Sequence, residues 1–302
     1  MRILISAASG LIGSAVSAAL QADGHAVVRL VRRPPDAGEV RWDPAAGLLD
    51  PTAVEGSDAV VHLSGEGILG RWTAAKKAAI RESRVDSTAL LAGVLAGLRR
   101  PPATLVVASA VGYYGDRGDE WLTEESAPGR DWLAQVTRDW EAAAEPAVRR
   151  GIRVVHLRTG LVVTPKGGAL ASMLLPFQLG LGGPVASGRQ YWSWIAIDDA
   201  VGAVRHLLAA PHVRGPVNLT APAPVTSRQF ARTLGRVLRR PAVLPVPAFA
   251  LRLLFGEAAD ATLLTGSRVV PAKLQASGYA FLYPYLEAAL RHVLGRDKDA
   301  RP

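Results

Sequence analysis

MRILISAASGLIGSAVSAALQADGHAVVRLVRR, residues 1–33, admits two incompatible readings. Arg2 followed by an apolar, small-residue run with Ala-x-Ala-like sites has the make-up of a secretion signal. Against that, Ser6, Ser9, Gly10, Gly13 and Ser14 interrupt the apolar run, Gln21 to His25 reads as a helix end, and a second buried-strand pattern, AVVRLV from Ala26 to Val31, follows at once. The second reading is therefore strand, turn, helix, turn, strand. Arg2 to Ser6 is too short for a buried helix and suits a strand. Ser9 to Ala22 carries apolar Ile12, Val16, Ala19 and Leu20 at helical spacing, and Gly24 closes the helix.

In such a unit the turn between strand and helix is an anion site, because the first N–H groups of the helix are free and lie at the positive end of its dipole. Gly10 and Gly13 keep side chains out of the way. The expected pattern, G-x-x-G-x-x-G, is incomplete, since its first position holds Ala7, whose methyl group disfavours a positive φ and narrows the approach of a phosphate.

Composition sets the limits. The 302 residues are 49% hydrophobic, enough for one large core or two modest ones. No apolar run reaches the roughly 18 residues that cross a bilayer. Without cysteine there is no disulfide, thiolate nucleophile or cysteine-held metal, which suits a reducing compartment, and the expected location is the cytoplasm. The net charge of +9 raises nucleic acid as a partner. The cations, however, are scattered as pairs, Arg32-Arg33, Arg99-Arg100, Arg149-Arg150 and Arg239-Arg240, at element ends where the helix dipole favours them, with no aromatic and basic ladder. The expected partner is a small-molecule substrate, with neither nucleic acid nor membrane.

The alternation continues along the chain. DAVVHLSGE (Asp58 to Glu66), TLVVASAVGYYG (Thr104 to Gly115), IRVVHLRTG (Ile152 to Gly160) and PVNLTAP (Pro216 to Pro222) read as strands, with helices at Thr73 to Leu98 and Trp132 to Arg150. This predicts an α/β fold, a doubly wound parallel sheet of Rossmann type, with ligands at the carboxyl ends of the strands. A nucleotide-binding domain is expected over residues 1–222, its glycine-rich segment 161–195 forming part of a substrate cover. Residues 223–302, proline-punctuated and helical, are expected to form a small C-terminal lobe.

The end of the second strand selects the cofactor. An NAD site places a carboxylate there for the ribose hydroxyls, whereas this chain has Val31-Arg32-Arg33. A guanidinium grips a 2′-phosphate with two charge-assisted bonds, so NADP(H) fits better. Solvated arginines at a strand end are the alternative.

These stretches, with GRWTAAKKAAIRESRV, SAVGYYGDRGDEWLTEESAPG, LRTGLVVTPKGGAL, LLPFQLGLGGPVASGRQYWSWIAIDD and GSRVVPAKLQASGYAF, resemble over nearly the whole chain the atypical extended short-chain dehydrogenases/reductases. The group is the epimerase-family proteins with their own C-terminal domain, within the NAD-dependent epimerase/dehydratase superfamily. The resemblance implies that Ala8, Ser9, Gly10, Leu11 and Ile12, with Gly13, form the diphosphate turn. It further implies that Arg32 clamps the 2′-phosphate, that Leu63 and Ser64 lie along the adenosine, and that Arg84 and Leu161 touch the cofactor. Three positions depart from the family pattern: Ala7 for glycine, Ser64 for alanine, and Ala196 for histidine.

Proton transfer in the superfamily uses a tyrosine with a lysine four residues later. None of Tyr113, Tyr114, Tyr191, Tyr279, Tyr283 and Tyr285 has one, and the helix where the pair belongs reads WLAQVTRDW. A substitute set is Ser109 as donor to a substrate oxygen, with Tyr113 or Tyr114 as acid or base beside Arg117. The alternative is a strand-end serine and two packed aromatics. No metal is expected, since the histidines lack ligand spacing, and no G-x-S-x-G elbow is present. Two functions follow: an NADP(H)-dependent oxidoreductase or epimerase-like enzyme on a small hydroxyl or carbonyl substrate, or a non-catalytic NADP(H)-binding sensor or scaffold.

Overall fold

A computed structural model describes residues 1–297. The first unit is as the periodicity predicts: strand β1 (Arg2–Ser6), helix α1 (Leu11–Ala22) and strand β2 (Ala26–Val31). The chain continues through β3 (Glu39–Asp43), β4 (Leu48–Leu49), α2 (Pro51–Val54), β5 (Ala59–His62), α3 (Ala74–Gly97) and β6 (Thr104–Ala110), which runs into a single 3-10 turn, Val111–Tyr114. Next come β7 (Trp121–Leu122), α4 (Trp132–Ala142), α5 (Glu145–Arg149), β8 (Arg153–Thr159), β9 (Leu161–Val163) and α6 (Gly168–Gln178). The last part holds β10 (Tyr191–Trp192), β11 (Trp194–Ala196), α7 (Ile197–Ala209), β12 (Gly215–Leu219), β13 (Val225–Thr226), α8 (Ser227–Leu238), α9 (Ala248–Phe255), β14 (Arg268–Val269), α10 (Ala272–Ala276) and α11 (Leu286–Val293).

Eight strands form one sheet in the order β12-β8-β6-β5-β1-β2-β3-β4, parallel except at the β3/β4 edge. The strand order reverses at β1: the chain winds outward on one side through β2 and β3, then crosses back to β5 on the other. A crevice opens at such a reversal, above the strand ends, because the flanking connections leave in opposite directions.

Strand alternation divides the core. Ile3, Ile5, Val61, Val106 and Val155 face α1 and α7, packing with Val16, Leu20 and Leu207. Leu4, Val60, Leu105 and Val107 face the other way, against Leu91 and Leu95 of α3 and Trp140 of α4. With both faces covered, the strands read as unbroken apolar runs. Two of the covering helices are fixed at their starts by side-chain caps: Thr73 accepts from the Lys76 N–H (3.1 Å) and Asp131 from the Ala134 N–H (2.9 Å).

A third core, containing Val163, Leu170, Phe177, Trp194, Phe230, Leu234, Leu286 and Leu290, belongs to the lobe built from α6, α8 and α11 around β9 and β11. The division is less simple than a cut after residue 222. Segment 161–196 contributes to the lobe, and beyond β14 the chain returns to the sheet, where Leu274, Tyr279 and Phe281 pack into the α1/α7 core. Buried Asp199 of α7 secures that return by accepting from the N–H groups of Leu282 (2.8 Å) and Tyr283 (2.9 Å). Residues 298–302 of the expected C-terminal lobe lie outside the described residues.

The turn after β1 meets the sequence expectation in an unexpected way. Ala7 adopts φ 52°, the left-handed conformation that glycine would take without strain. Gly13 is the glycine without substitute, since a Cβ there would lie 2.1 Å from the Ala7 carbonyl oxygen. Gly13→Ala is expected to cost about 2–3 kcal/mol by overpacking, whereas Ala7→Gly is expected to be neutral or stabilising by up to about 1 kcal/mol through relief of the left-handed penalty. Urea denaturation of the two variants measures both.

Candidate functional site

The crevice is built around that turn. The Gly10 N–H donates to the Ala7 carbonyl (2.9 Å), and no side chain caps α1. The N–H groups at the start of the helix are thus left for an external anion. Gly167, in the glycine-rich segment, lies so close to Leu11 that a Cβ on it would be 3.2 Å from the leucine Cδ1, which brings the lobe's cover onto the turn. At the end of β2 the two arginines part company. Arg33 is spent on Asp36 and Glu39, both at 2.9 Å, while Arg32 is exposed and makes no ion pair among the described residues.

The floor of the crevice is a polar chain that sequence reasoning reached only at Ser64. The Ser87 hydroxyl donates to the Ser83 carbonyl (2.7 Å), so it accepts from His62 Nε2 (3.2 Å), and His62 Nδ1 accepts from the Ser6 hydroxyl (2.8 Å). Ser6 Oγ in turn accepts from the Leu63 N–H and the Ser64 hydroxyl, each at 3.0 Å. Leu63 and Ser64 are thereby fixed at the β5 end, beside the turn. Arg84 reaches the same region: its guanidinium lies 3.4 Å from where a Gly65 Cβ would stand, packs over Trp140 and is pulled down to about 10 by burial, against the opposing charge of Glu66.

The other end of the crevice lies above β6 and β8. Ser109 is buried, and its hydroxyl donates to Glu141 Oε1 (2.7 Å). Glu141 is held by Arg158 in a fork, Nε to Oε1 at 2.8 Å and Nη2 to Oε2 at 2.9 Å. Burial alone would push the Glu141 carboxyl up, but the Arg158 guanidinium, with help from His156 and Ser109, holds it below the usual carboxylate range. Arg158 also packs 3.4 Å from the centre of the Tyr113 ring and donates to the Tyr114 hydroxyl (3.0 Å).

The two tyrosines named from sequence therefore differ. Tyr114 is fully buried, its hydroxyl donates to Asn218 (2.6 Å), and burial pushes it up to about 12 despite Arg158. Those contacts make it a structural strut and take it out of the candidate acid–base set. Tyr113 is half-buried, and its hydroxyl makes no hydrogen bond among the described residues. Arg117, expected beside the tyrosines, is engaged instead with Glu120 and the Ala127 carbonyl; the cation at the tyrosines is Arg158. Helix α4 presents Leu133, Thr137 and Glu141 along one stripe. Leu133 and Thr137 border Gly112 of the 3-10 turn, and Glu141 reaches Ser109. Leu161 opens β9, its N–H donating to the Ser193 carbonyl (2.8 Å), and Ala196 is packed in the lobe core.

Glu141, Arg158, Ser6 and His62 were missed as site residues. For Arg158, Ser6 and His62 the signal is a charged or polar side chain inside a strand otherwise apolar on both faces, as in HLRTG and AVVH, because a buried ionic or polar group requires a partner; Glu141, on helix α4, carries no such signal.

A parallel sheet with an uncapped helix start at its reversal point and an open guanidinium at the second strand end is a dinucleotide-binding arrangement of Rossmann type. The chain belongs to the NAD dependent epimerase/dehydratase family, whose model matches residues 3–219, and a domain of unknown function, DUF1731, matches residues 246–293. It is 45% identical over 97% of its length to the epimerase family protein Mb2239 of Mycobacterium bovis, of which 98% is covered. The crystal structure of human epimerase family protein SDR39U1 (isoform 2) with NADPH superposes with a TM-score of 0.89 at 36% identity, covering 98% of this chain and 99% of that one. The nucleoside-diphosphate sugar epimerase from Corynebacterium glutamicum superposes with a TM-score of 0.82 at 37% identity, covering 98% of this chain and 58% of that one. Among the described residues no helix is long and apolar enough to cross a membrane.

Burial drives His62 down to about 3 from the 6.5 of a free imidazole. Between those values the unfolded chain takes up a proton that the folded chain refuses, so stability falls as pH falls, by up to about 1.4 kcal/mol per pH unit. His156, lowered mainly by burial, acts in the same direction. His62→Gln is expected to flatten the stability profile between about pH 6 and pH 4 without abolishing its slope, as measured by urea denaturation at each pH.

Proposed function

We propose that this chain binds NADP(H) across the β1/β5 crevice and acts as an oxidoreductase or epimerase-like enzyme on a small hydroxyl- or carbonyl-bearing substrate. The observation that carries the cofactor choice is the contrast between Arg33, paired with two carboxylates, and Arg32, whose guanidinium is open to a 2′-phosphate. The human relative crystallised with NADPH supports the same choice. The residues fit a dinucleotide: a Cβ-free approach at Gly10 and Gly13, an uncapped α1 for the diphosphate, and Leu63, Ser64 and Arg84 along the β5 side.

When bound, the nicotinamide supplies or accepts a hydride. The chain's own part is to handle the proton on the substrate oxygen, a role we assign to Tyr113, supported by its unbonded hydroxyl and by a ring held by Arg158. Ser109, expected as a donor to a substrate oxygen, commits its one proton to Glu141 instead, and its hydroxyl keeps lone pairs for a substrate hydroxyl. The second reading, a non-catalytic NADP(H)-binding protein, draws on the α4 stripe, where Leu133 and Thr137 stand four residues apart with neither tyrosine nor lysine.

Calorimetry is expected to show NADPH bound more tightly than NADH, with Arg32→Ala lowering NADPH affinity about 10- to 100-fold, the range for losing a charge-assisted pair, and leaving NADH unchanged. Equal affinities in the wild type would overturn the cofactor assignment. For the enzyme reading, Tyr113→Phe is expected to lower NADPH oxidation across a panel of small ketones and quinones by 100-fold or more at unchanged NADPH affinity, the scale of general acid catalysis. Background oxidation identical in wild type and variant favours the binding protein.

A further inference from the structure

Arg268 is unlike the other part-buried arginines. Arg2 donates to the carbonyls of Ala53 and Glu55, Arg153 to those of Leu207, Ala210 and Val213, Arg84 to that of Ile80, and Arg158 to Glu141. Each guanidinium inside the fold thus finds acceptors, as the cost of burying an unsatisfied donor requires. The Arg268 side chain makes no hydrogen bond and no ion pair among the described residues, and its Nε is buried without a partner. What holds it is aromatic: its Cζ lies 3.5 Å from the centre of the Trp121 ring and 4.6 Å from that of Tyr191. Cation–π contact fixes the guanidinium plane but supplies no acceptor to its N–H groups. Arg268 as a whole is partly exposed, and its terminal Nη1 and Nη2 have no acceptor among the described residues.

The place of this fork matters. Arg268 stands opposite Trp121 in the β7/β14 ladder; the next rung, Leu122 with Val269, points to the other face and packs against Tyr113 and Tyr114. Two hydrogen bonds join the ladder through Ser193 to the start of β9: the Leu161 N–H donates to the Ser193 carbonyl (2.8 Å), and the Val269 N–H donates to Ser193 Oγ (2.8 Å). The same chain segment carries Tyr191 two residues before Ser193. Ladder, tyrosine and strand end therefore form one rigid unit beside the Tyr113 end of the crevice.

We propose that Arg268 is an oxyanion site, taking the phosphate or carboxylate group of a ligand in the fork of Nη1 and Nη2. A planar guanidinium matches either group bidentately, and Trp121 and Tyr191 hold it in place without competing for its donors.

The test uses the full chain saturated with NADP+, so that the crevice is closed to competing anions, and reads tryptophan fluorescence. Inorganic pyrophosphate and malonate are titrated separately at constant ionic strength; the tighter of the two tells phosphate from carboxylate. A saturable change is expected, absent in Trp121→Phe, with affinity at least about tenfold weaker in Arg268→Gln, the loss of one charge-assisted pair. Arg268→Met, whose unbranched side chain still packs between the rings, serves as a second variant should the glutamine chain not fold, and is expected to lose the response equally. No saturable change in the wild type, a response matched by chloride, or equal affinity in a folded variant would overturn the site. NADP+ uptake is measured on the same samples: intact uptake without an anion response removes Arg268 alone, and an anion response without uptake removes the cofactor reading alone.

Discussion

A single buried ion pair organises the end of the sheet where chemistry is proposed. Arg158 lies on β8, Glu141 on α4, and neither side chain has appreciable exposure. Removing one partner from such a pair strands a charge in the interior at a cost of about 3–5 kcal/mol, so both positions are constrained together. The pair does more than satisfy itself. Glu141 accepts the Ser109 hydroxyl at the end of β6, and Arg158 meets the faces of Tyr113 and the hydroxyl of Tyr114. Through Tyr114 the network continues to Asn218 on β12, whose backbone N–H donates to Glu124 Oε1 (3.0 Å). Strand ends, the 3-10 turn and the start of the lobe are thereby fixed relative to one another by charge-assisted bonds rather than by packing alone.

The crevice at the opposite end follows a different logic. Its polar chain, Ser64, Ser6, His62 and Ser87, is uncharged, because burial keeps His62 neutral, and it is satisfied at each link. It stabilises the β1/β5 junction without adding a charge of its own. Charge beside it comes from the guanidinium of Arg84, packed against Gly65, and from Arg32, exposed at the end of β2.

The sheet, its parallel winding and the glycine-bearing turn at its reversal were legible because they rest on periodicity and on turn residues, which are local. The helix starting near Leu11, the strand ending at Ser6 and the arginine at position 32 can all be read within thirty-three residues. The catalytic end was not legible to the same degree. Ser109 and Glu141 are thirty-two positions apart, and Tyr114 and Asn218 more than a hundred, so their pairing is a property of the winding and leaves no trace in spacing. Sequence pattern set Tyr113 and Tyr114 side by side as equivalents, yet one sits in the core and the other keeps its hydroxyl unbonded, because the 3-10 turn points successive side chains in different directions. The lobe boundary was blurred for a related reason: Asp199 ties the final third of the chain back to the sheet through bonds that span more than eighty residues.

The alanine in the phosphate turn carries a lesson about recognition. The fold demands a backbone shape at position 7 and empty volume at position 13, and only the second demand excludes every side chain. A methyl group can follow the first at modest strain. A search for this fold that counts glycines would pass over the chain, whereas one that asks where a β-carbon has no room would find it.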